Sequence, residues 1–269
     1  MPTKDRQRQL ARAKLERQMA RRAAAAKRRR QTQAAVGAGL GLLLVVVGAV
    51  FLVAKYGGDD DKTATKTTTA STGAKCTYQK ATTSGGKVKN TGTPPTANIA
   101  KSGSRTATLV TNLGTVEFTL DQADAPCTSN SFAFLAGKKY YDNTTCHRLV
   151  TTGIFVLQCG DPFGDGTGGP SYRYGTENLP TTTHPPYPAG TIAMAKSSEA
   201  ISVGSQFFIV YKDIPEASLP AEYTVVGKVT KGLDLIVKAA AKGASGTTGD
   251  GAPKQPVKIT SLAVSAIKS

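Results

Sequence analysis

After residue 105 the apolar positions recur with a period of two, the signature of strands that bury one face. In TVEFTL, residues 115–120, Val116, Phe118 and Leu120 face one way while Thr115, Glu117 and Thr119 face the other. Comparable runs are TATLV (106–110), CHRLV (146–150), GIFVLQC (153–159), GTIAMA (190–195), SQFFIVY (205–211), YTVVGKV (223–229) and PVKITSLAV (256–264). Eight strands joined by Gly- and Pro-rich connections predict a mainly β domain, closed into a barrel because closure removes exposed edges. Two segments read as helices instead. PCTSNSFAFLAG (126–137) opens on Pro, spaces Phe132 and Leu135 three apart and stops at Gly137. KGLDLIVKAAAKG (231–243) sets Leu233, Ile236 and Val237 on one face ahead of Gly243. The two helices are expected to plug the ends of the barrel.

A different pattern precedes the domain. Residues 34–54, AAVGAGLGLLLVVVGAVFLVA, are continuously apolar, with no charge between Arg30 and Lys55. About 20 such residues cross a bilayer as a helix. Lys27, Arg28, Arg29 and Arg30 lie before the run and Asp59, Asp60 and Asp61 after it, so the predicted orientation keeps the N-terminus cytoplasmic and the rest outside. A cleaved signal peptide is the competing reading, but its apolar stretch is shorter and ends in small residues, whereas Leu52 stands three positions before a cut after Ala54. The expectation is a single-pass anchor in the cell membrane.

Charge sharpens this division. The formal net charge of the 269 residues is +16. Residues 1–35 carry twelve Lys/Arg against Asp5 and Glu16, residues 55–99 seven against three Asp, and residues 100–269 fifteen against thirteen acids. The domain is therefore nearly neutral, which excludes a nucleic-acid-binding core. A basic tail beside an apolar span reads first as a topology determinant, with phosphate binding or a cytoplasmic partner as lesser alternatives. Residues 57–104 are rich in Gly, Thr, Ser, Lys and Ala and bury too little apolar surface to order themselves. The layout is then a basic cytoplasmic tail (1–33), a transmembrane anchor (34–54), a flexible tether (55–104) and a folded domain (105–269). Cys76 and Tyr78 interrupt the tether and mark a docking point.

Cys76, Cys127, Cys146 and Cys159 are an even number in a region predicted to lie outside the cell, which favours two disulfides. Three pairings are open. The neighbouring strand-like segments lean to Cys146 with Cys159, leaving Cys76 for Cys127; unpaired buried thiols are the alternative. With His147 and His184 as the chain's two histidines and no C-x-x-C, zinc spacing is lacking. DPFGDGTGGP has Phe163 and Tyr172 where a calcium loop needs oxygen ligands, and Pro170 where a phosphate loop needs Lys. No metal or cofactor is expected.

CHRLVTTGIFVLQCGD (146–161), GTGGP (166–170), GTIAMA and GSQFFI (204–209), in that order, resemble the cyclophilins, the peptidyl-prolyl isomerases. The resemblance covers about residues 105–267 and, with tail and span, is to membrane-anchored bacterial members. It implies a closed eight-stranded antiparallel β-barrel capped by two α-helices, with the site on the barrel's outer surface. Arg148 falls on the family's catalytic arginine. His147 reads as a wall residue, Phe155 as the floor of the proline pocket, and Val156 stands where Met is usual. Gln158 is the motif's glutamine. Ala195 and Lys196 match the edge strand that pairs with substrate backbone, with Lys196 in place of Asn. Gln206 and Phe208 form the next wall, Leu219 closes the pocket, and Tyr223 replaces a common His. Phe207, alternating with Phe208, reads as core. Two extra residues separate Arg148 from Phe155, so the loop at Thr151 and Thr152 is expected to shift. Ser218 replaces the Trp of cyclosporin-sensitive members, which implies weak binding of that drug.

The implied activity is cis-trans isomerisation of X-Pro bonds in unfolded, exported polypeptides by a monomer, assisting folding without a cofactor. The alternative is a non-catalytic proline-peptide-binding or chaperone module. Taken alone, Arg148 would read as a strand arginine paired to a surface carboxylate; within the full motif it reads as catalytic.

Overall fold

The computed structural model describes residues 73–81 and 86–268. The predicted tail, span and first part of the tether lie outside the described residues. Among those described, no helix is long and apolar enough to cross a membrane.

The strands in chain order are β1 (Gln79–Lys80), β2 (Val88–Lys89), β3 (Ser104–Thr111), β4 (Gly114–Asp121), β5 (Thr144–Thr145), β6 (Arg148–Val150), β7 (Val156–Cys159), β8 (Gly169–Pro170), β9 (Tyr172–Gly175), β10 (Thr191–Met194), β11 (Ile201–Val203), β12 (Phe207–Val210), β13 (Val225–Lys231), β14 (Asp250–Gly251) and β15 (Lys258–Val264). Helix α1 (Pro126–Gly137) follows β4 and α2 (Leu233–Ala240) follows β13. The main sheet is antiparallel and ten-stranded, in the order β14-β6-β7-β12-β10-β13-β4-β3-β15-β5. All eight predicted runs contribute to it. The run 146–150 supplies β6, while β5 just ahead of it and β14 are two short strands the alternation did not reveal. Thr144 and Thr145 pair with β15, and three residues on Arg148 pairs with β7. One short segment thus holds strands from near both ends of the sheet order and curls it.

Alternation works as physical chemistry requires. In the β3–β4 hairpin Ala107, Leu109, Val116, Phe118 and Leu120 are buried and pack inside the curl. Phe118, Phe132, Tyr141 and Phe207 form the aromatic centre, with Phe132 stacked on Tyr141 at 5.1 Å between centroids and edge-on to Phe207 at 5.3 Å. Helix α1 begins on Pro126, whose missing N–H costs nothing at that position, and packs Phe132, Leu135 and Ala136 onto the core. Helix α2 differs from expectation. Ile236, Ala239 and Ala240 are its buried residues while Val237 is 43% exposed, because at 100° per residue the inward stripe runs 236-239-240 rather than 233-236-237.

The tether is corrected in its described part. Both cysteine pairs are disulfides, Cys76–Cys127 and Cys146–Cys159. Around the first, Tyr78 Oη donates to Cys127 O at 2.8 Å, and Asn130 Nδ2 donates to Tyr78 Oη and Pro95 O. β1 pairs with β9, β2 runs parallel to β8, and Ala74 bridges Ile99. Tyr78 sits edge-on against Tyr172 and Tyr174. Polar composition misled here because backbone pairing and a few anchors, rather than an apolar face of its own, order this strap.

The sequence separations, 51 for Cys76–Cys127 and 13 for Cys146–Cys159, imply loop-closure contributions of about 4 and about 3 kcal/mol. Replacing Cys76 and Cys127 together by Ala is expected to lower the unfolding free energy by the larger amount in guanidinium titrations. It should also expose residues 86–95 to limited proteolysis; an unchanged midpoint and cleavage pattern would show that the strap is independent of its disulfide.

Candidate active site

Register across three strands builds the candidate site. Arg148 is opposite Gln158 and Val150 opposite Val156 in the β6–β7 pair. Phe208 is opposite Gln158 and Val210 opposite Val156 in the β7–β12 pair, and Ala193 of β10 faces Phe208. Successive side chains alternate between faces, so Arg148, Val150, Val156, Gln158, Gln206, Phe208 and Ala193 share the outer face. Their neighbours Leu149, Leu157, Phe207 and Ile209 turn into the main core.

On that outer face Val150, Val156, Tyr187, Ala193, Phe208, Val210 and Ile214 make a second buried apolar cluster, bordered by partly buried Ile154, Ala195, Leu219, Tyr223 and Val225. Phe208, Tyr187 and Tyr223 meet edge-on, with Phe208 and Tyr223 centroids 5.7 Å apart. Phe155, expected on the floor, is placed elsewhere. Its ring lies 6.1 Å from Tyr211 with Lys212 Nζ 4.6 Å from its centroid, and Ile154 borders the cluster instead. Val156 faces the cluster, and alternation ahead of β7 turns Phe155 away from it while returning Ile154.

The polar half of the site is a relay. Arg148 donates from Nε to Asp250 Oδ1 at 2.8 Å, from Nη2 to Asp250 Oδ2 at 2.7 Å and from Nη1 to Gln158 Oε1 at 3.3 Å. Gln158 Nε2 donates to Gln206 Oε1 at 2.8 Å, and Gln206 Nε2 donates to Gly166 O and Gly168 O, both at 2.9 Å. The Asp250 carboxylate raises the Arg148 pKa further, and the guanidinium holds Asp250 below the usual carboxylate range. Both groups therefore stay charged across the working pH range. The pairing with a surface carboxylate matches what Arg148 alone would suggest; Gln158, Gln206 and the apolar cluster beside it are the motif's addition.

Glycines shape the wall beyond Gln206. The buried Asp161 carboxylate accepts from the backbone N–H of Phe163, Asp165 and Gly166, and a Cβ on Gly168 would stand 2.1 Å from Asp161 Oδ1. Gly166, at φ +85°, packs on His147, whose Cδ2 lies 3.1 Å from where its Cβ would be. Both ring nitrogens of His147 are buried without a partner, and burial lowers its pKa. β10 is not an edge strand, because it lies between β12 and β13. Ala195 and Lys196 follow its end, where the Ala195 amide donates to Gln206 O at 2.9 Å. Lys196 Nζ is 3.6 Å from Glu222 and 5.6 Å from the Tyr223 ring centroid.

Next to Gln158 and Gln206 opens a cavity of about 650 Å³, lined by Gly166–Gly169, Arg173, Ala195, Lys196 and, from the strap, Gln79, Lys80 and Ala81. The sequence carried no sign of Asp250, a single acid in a Gly-rich loop, or of the strap residues, which reach the site through β1–β9 pairing.

Residues 106–264 match the family described as cyclophilin type peptidyl-prolyl cis-trans isomerase/CLD, and the chain belongs to that family. Over 168 residues it is 45% identical to the probable peptidyl-prolyl cis-trans isomerase B of Mycobacterium leprae, covering 58% of this chain and 55% of that one. Against the protein of the same name from Mycobacterium tuberculosis identity is 42% over 187 residues, covering 65% and 58%. The chain thus spans somewhat more than half the length of these curated relatives. A cyclophilin type peptidyl-prolyl cis-trans isomerase of Cryptosporidium parvum, crystallised in the presence of the dipeptide Ala-Pro, superposes with a TM-score of 0.52 at 27% identity. That match covers 60% of this chain and 99% of that one.

The lowered His147 pKa sets a sign for stability. Unfolded, the imidazole titrates near 6.5; folded, it stays neutral to lower pH, so its stabilising contribution is present above about 6.5 and lost as pH falls toward the folded value. The urea midpoint is expected to drop between pH 7.5 and 5.5, and to drop less in His147→Gln. An identical pH slope in both proteins would remove His147 from this linkage.

Proposed function

We propose that the chain is a peptidyl-prolyl cis-trans isomerase acting on proline-containing segments of exported, unfolded polypeptides. In this reading residues 34–54 anchor it in the cell membrane, the N-terminus is cytoplasmic, and the curled sheet is a closed barrel held outside. The observation that carries the activity is a charged, planar guanidinium, tied to Gln158, on the same sheet face as the apolar cluster of Val156, Phe208 and Leu219.

An X-Pro bond turns slowly because rotation breaks amide resonance, a barrier of roughly 18–20 kcal/mol. At the twisted midpoint the prolyl nitrogen pyramidalises and regains a lone pair. A fixed donor there stabilises that state more than either planar isomer, which is what lowers a barrier. Arg148 suits this role because its donor fork is rigid and never deprotonates. The apolar cluster would hold the ring still as the acyl side turns. The cavity beside Gln206 has room for residues preceding the proline, and the Ala-Pro dipeptide named with the Cryptosporidium parvum protein is the ligand chemistry such a site would take.

A second reading, a peptide-holding or chaperone module, draws on the Arg148–Asp250 pair, since an arginine tied to a carboxylate could bind without accelerating. A protease-free proline-isomerisation assay on the full chain separates the two. Acceleration nearly flat between about pH 6.5 and 9 is expected, because no group in the mechanism titrates there. Arg148→Lys should lose about 100-fold in kcat/KM, about 2.7 kcal/mol, with the fold intact. Binding of proline peptides without acceleration would select the holding module.

A further inference from the structure

We propose that Asp250 is a positioning residue for Arg148, holding one edge of the guanidinium so that the remaining terminal N–H groups point at substrate. The proposal rests on the isomerase reading above.

A guanidinium has five N–H donors. Asp250 takes the one on Nε and one on Nη2, and Gln158 takes one on Nη1. One N–H therefore remains on each terminal nitrogen. Asp250 occupies the side edge of the fork formed by Nε and Nη2. Arg148 is 41% exposed, and without a second partner so long a side chain would sample solvent around its Gln158 contact.

The backbone that carries this carboxylate is itself held. Asp250 is opposite Val150 and Gly251 opposite Leu149 in the β14–β6 pair. Thr151 donates to Gly249 O from its backbone N–H at 2.8 Å and from its hydroxyl at 3.1 Å, and Thr152 Oγ1 donates to Thr248 O at 2.9 Å. Gly249, at φ +76°, brings its backbone so close that a Cβ would stand 2.7 Å from Thr151 Oγ1. Thr151 and Thr152 lie in the stretch between Arg148 and Phe155 that is two residues longer than the common motif. The lengthened loop thus grips the loop that presents Asp250, and Asp250 grips Arg148.

The test is a double-mutant cycle on the full chain with a proline peptide in a protease-free assay. Asp250→Asn and Asp250→Ala are each expected to lower kcat about tenfold with KM little changed, and Asp250→Glu to recover part of the loss. In an Arg148→Ala background Asp250→Ala should cost nothing further. The Arg148 Nε–H signal in heteronuclear NMR should be slowly exchanging in the parent and lost in Asp250→Asn. A parent chain that does not accelerate isomerisation overturns the isomerase reading and this proposal with it. An active parent whose Asp250 variants match or exceed it, or lose as much in the Arg148→Ala background, overturns this proposal alone.

Discussion

The site depends on the alternation of side chains across β6, β7 and β12. Their register sends Arg148, Gln158 and Phe208 outward and Leu149, Leu157 and Phe207 inward. A slip of one residue would exchange the two sets, burying a guanidinium and exposing a Phe. Burying an unpaired charge is among the costliest changes a fold can suffer, so chemistry and packing enforce the same register. The Cys146–Cys159 disulfide adds a covalent tie at one end of the β6–β7 pair.

On that frame, two supports from distant parts of the chain complete the site. The first is the strap, pinned through Cys76 and β1, which lends Gln79, Lys80 and Ala81 to the cavity wall. The second is the 248–251 loop with Asp250. An ion pair this exposed contributes roughly 0–1 kcal/mol to stability, so the orientation it gives Arg148 matters more than its energy. Asp161 works differently: buried and fed by three backbone N–H groups, it fixes the glycine loop whose carbonyls in turn hold Gln206.

The legible parts were those governed by local periodicity. TVEFTL alternates in the structure as in the sequence, and PCTSNSFAFLAG is the helix 126–137 to the residue, because Pro126 and Gly137 punctuate it chemically. The lean toward Cys146–Cys159 followed from strand adjacency and agrees with the bonded pair. Phe155 shows where such reasoning stops. Its assignment came through the motif, whereas alternation next to Val156 sets Ile154 against the apolar cluster and Phe155 beside Tyr211. Likewise Val237 satisfied a helical spacing yet faces solvent, since a stripe's width does not say where the sheet lies.

By itself the sequence determined the strand and helix periods, the near-neutral charge of the domain, the cysteine count and the identity of the groups that could do chemistry, all carried by neighbours a few residues apart. Only the tertiary structure decided that a polar strap is ordered, that Asp250 meets Arg148 across 102 residues, and that Gln206 closes on the glycine loop. Those contacts depend on which backbone edges lie side by side in space, and a hydrogen bond made at such an edge leaves no periodic trace in the chain.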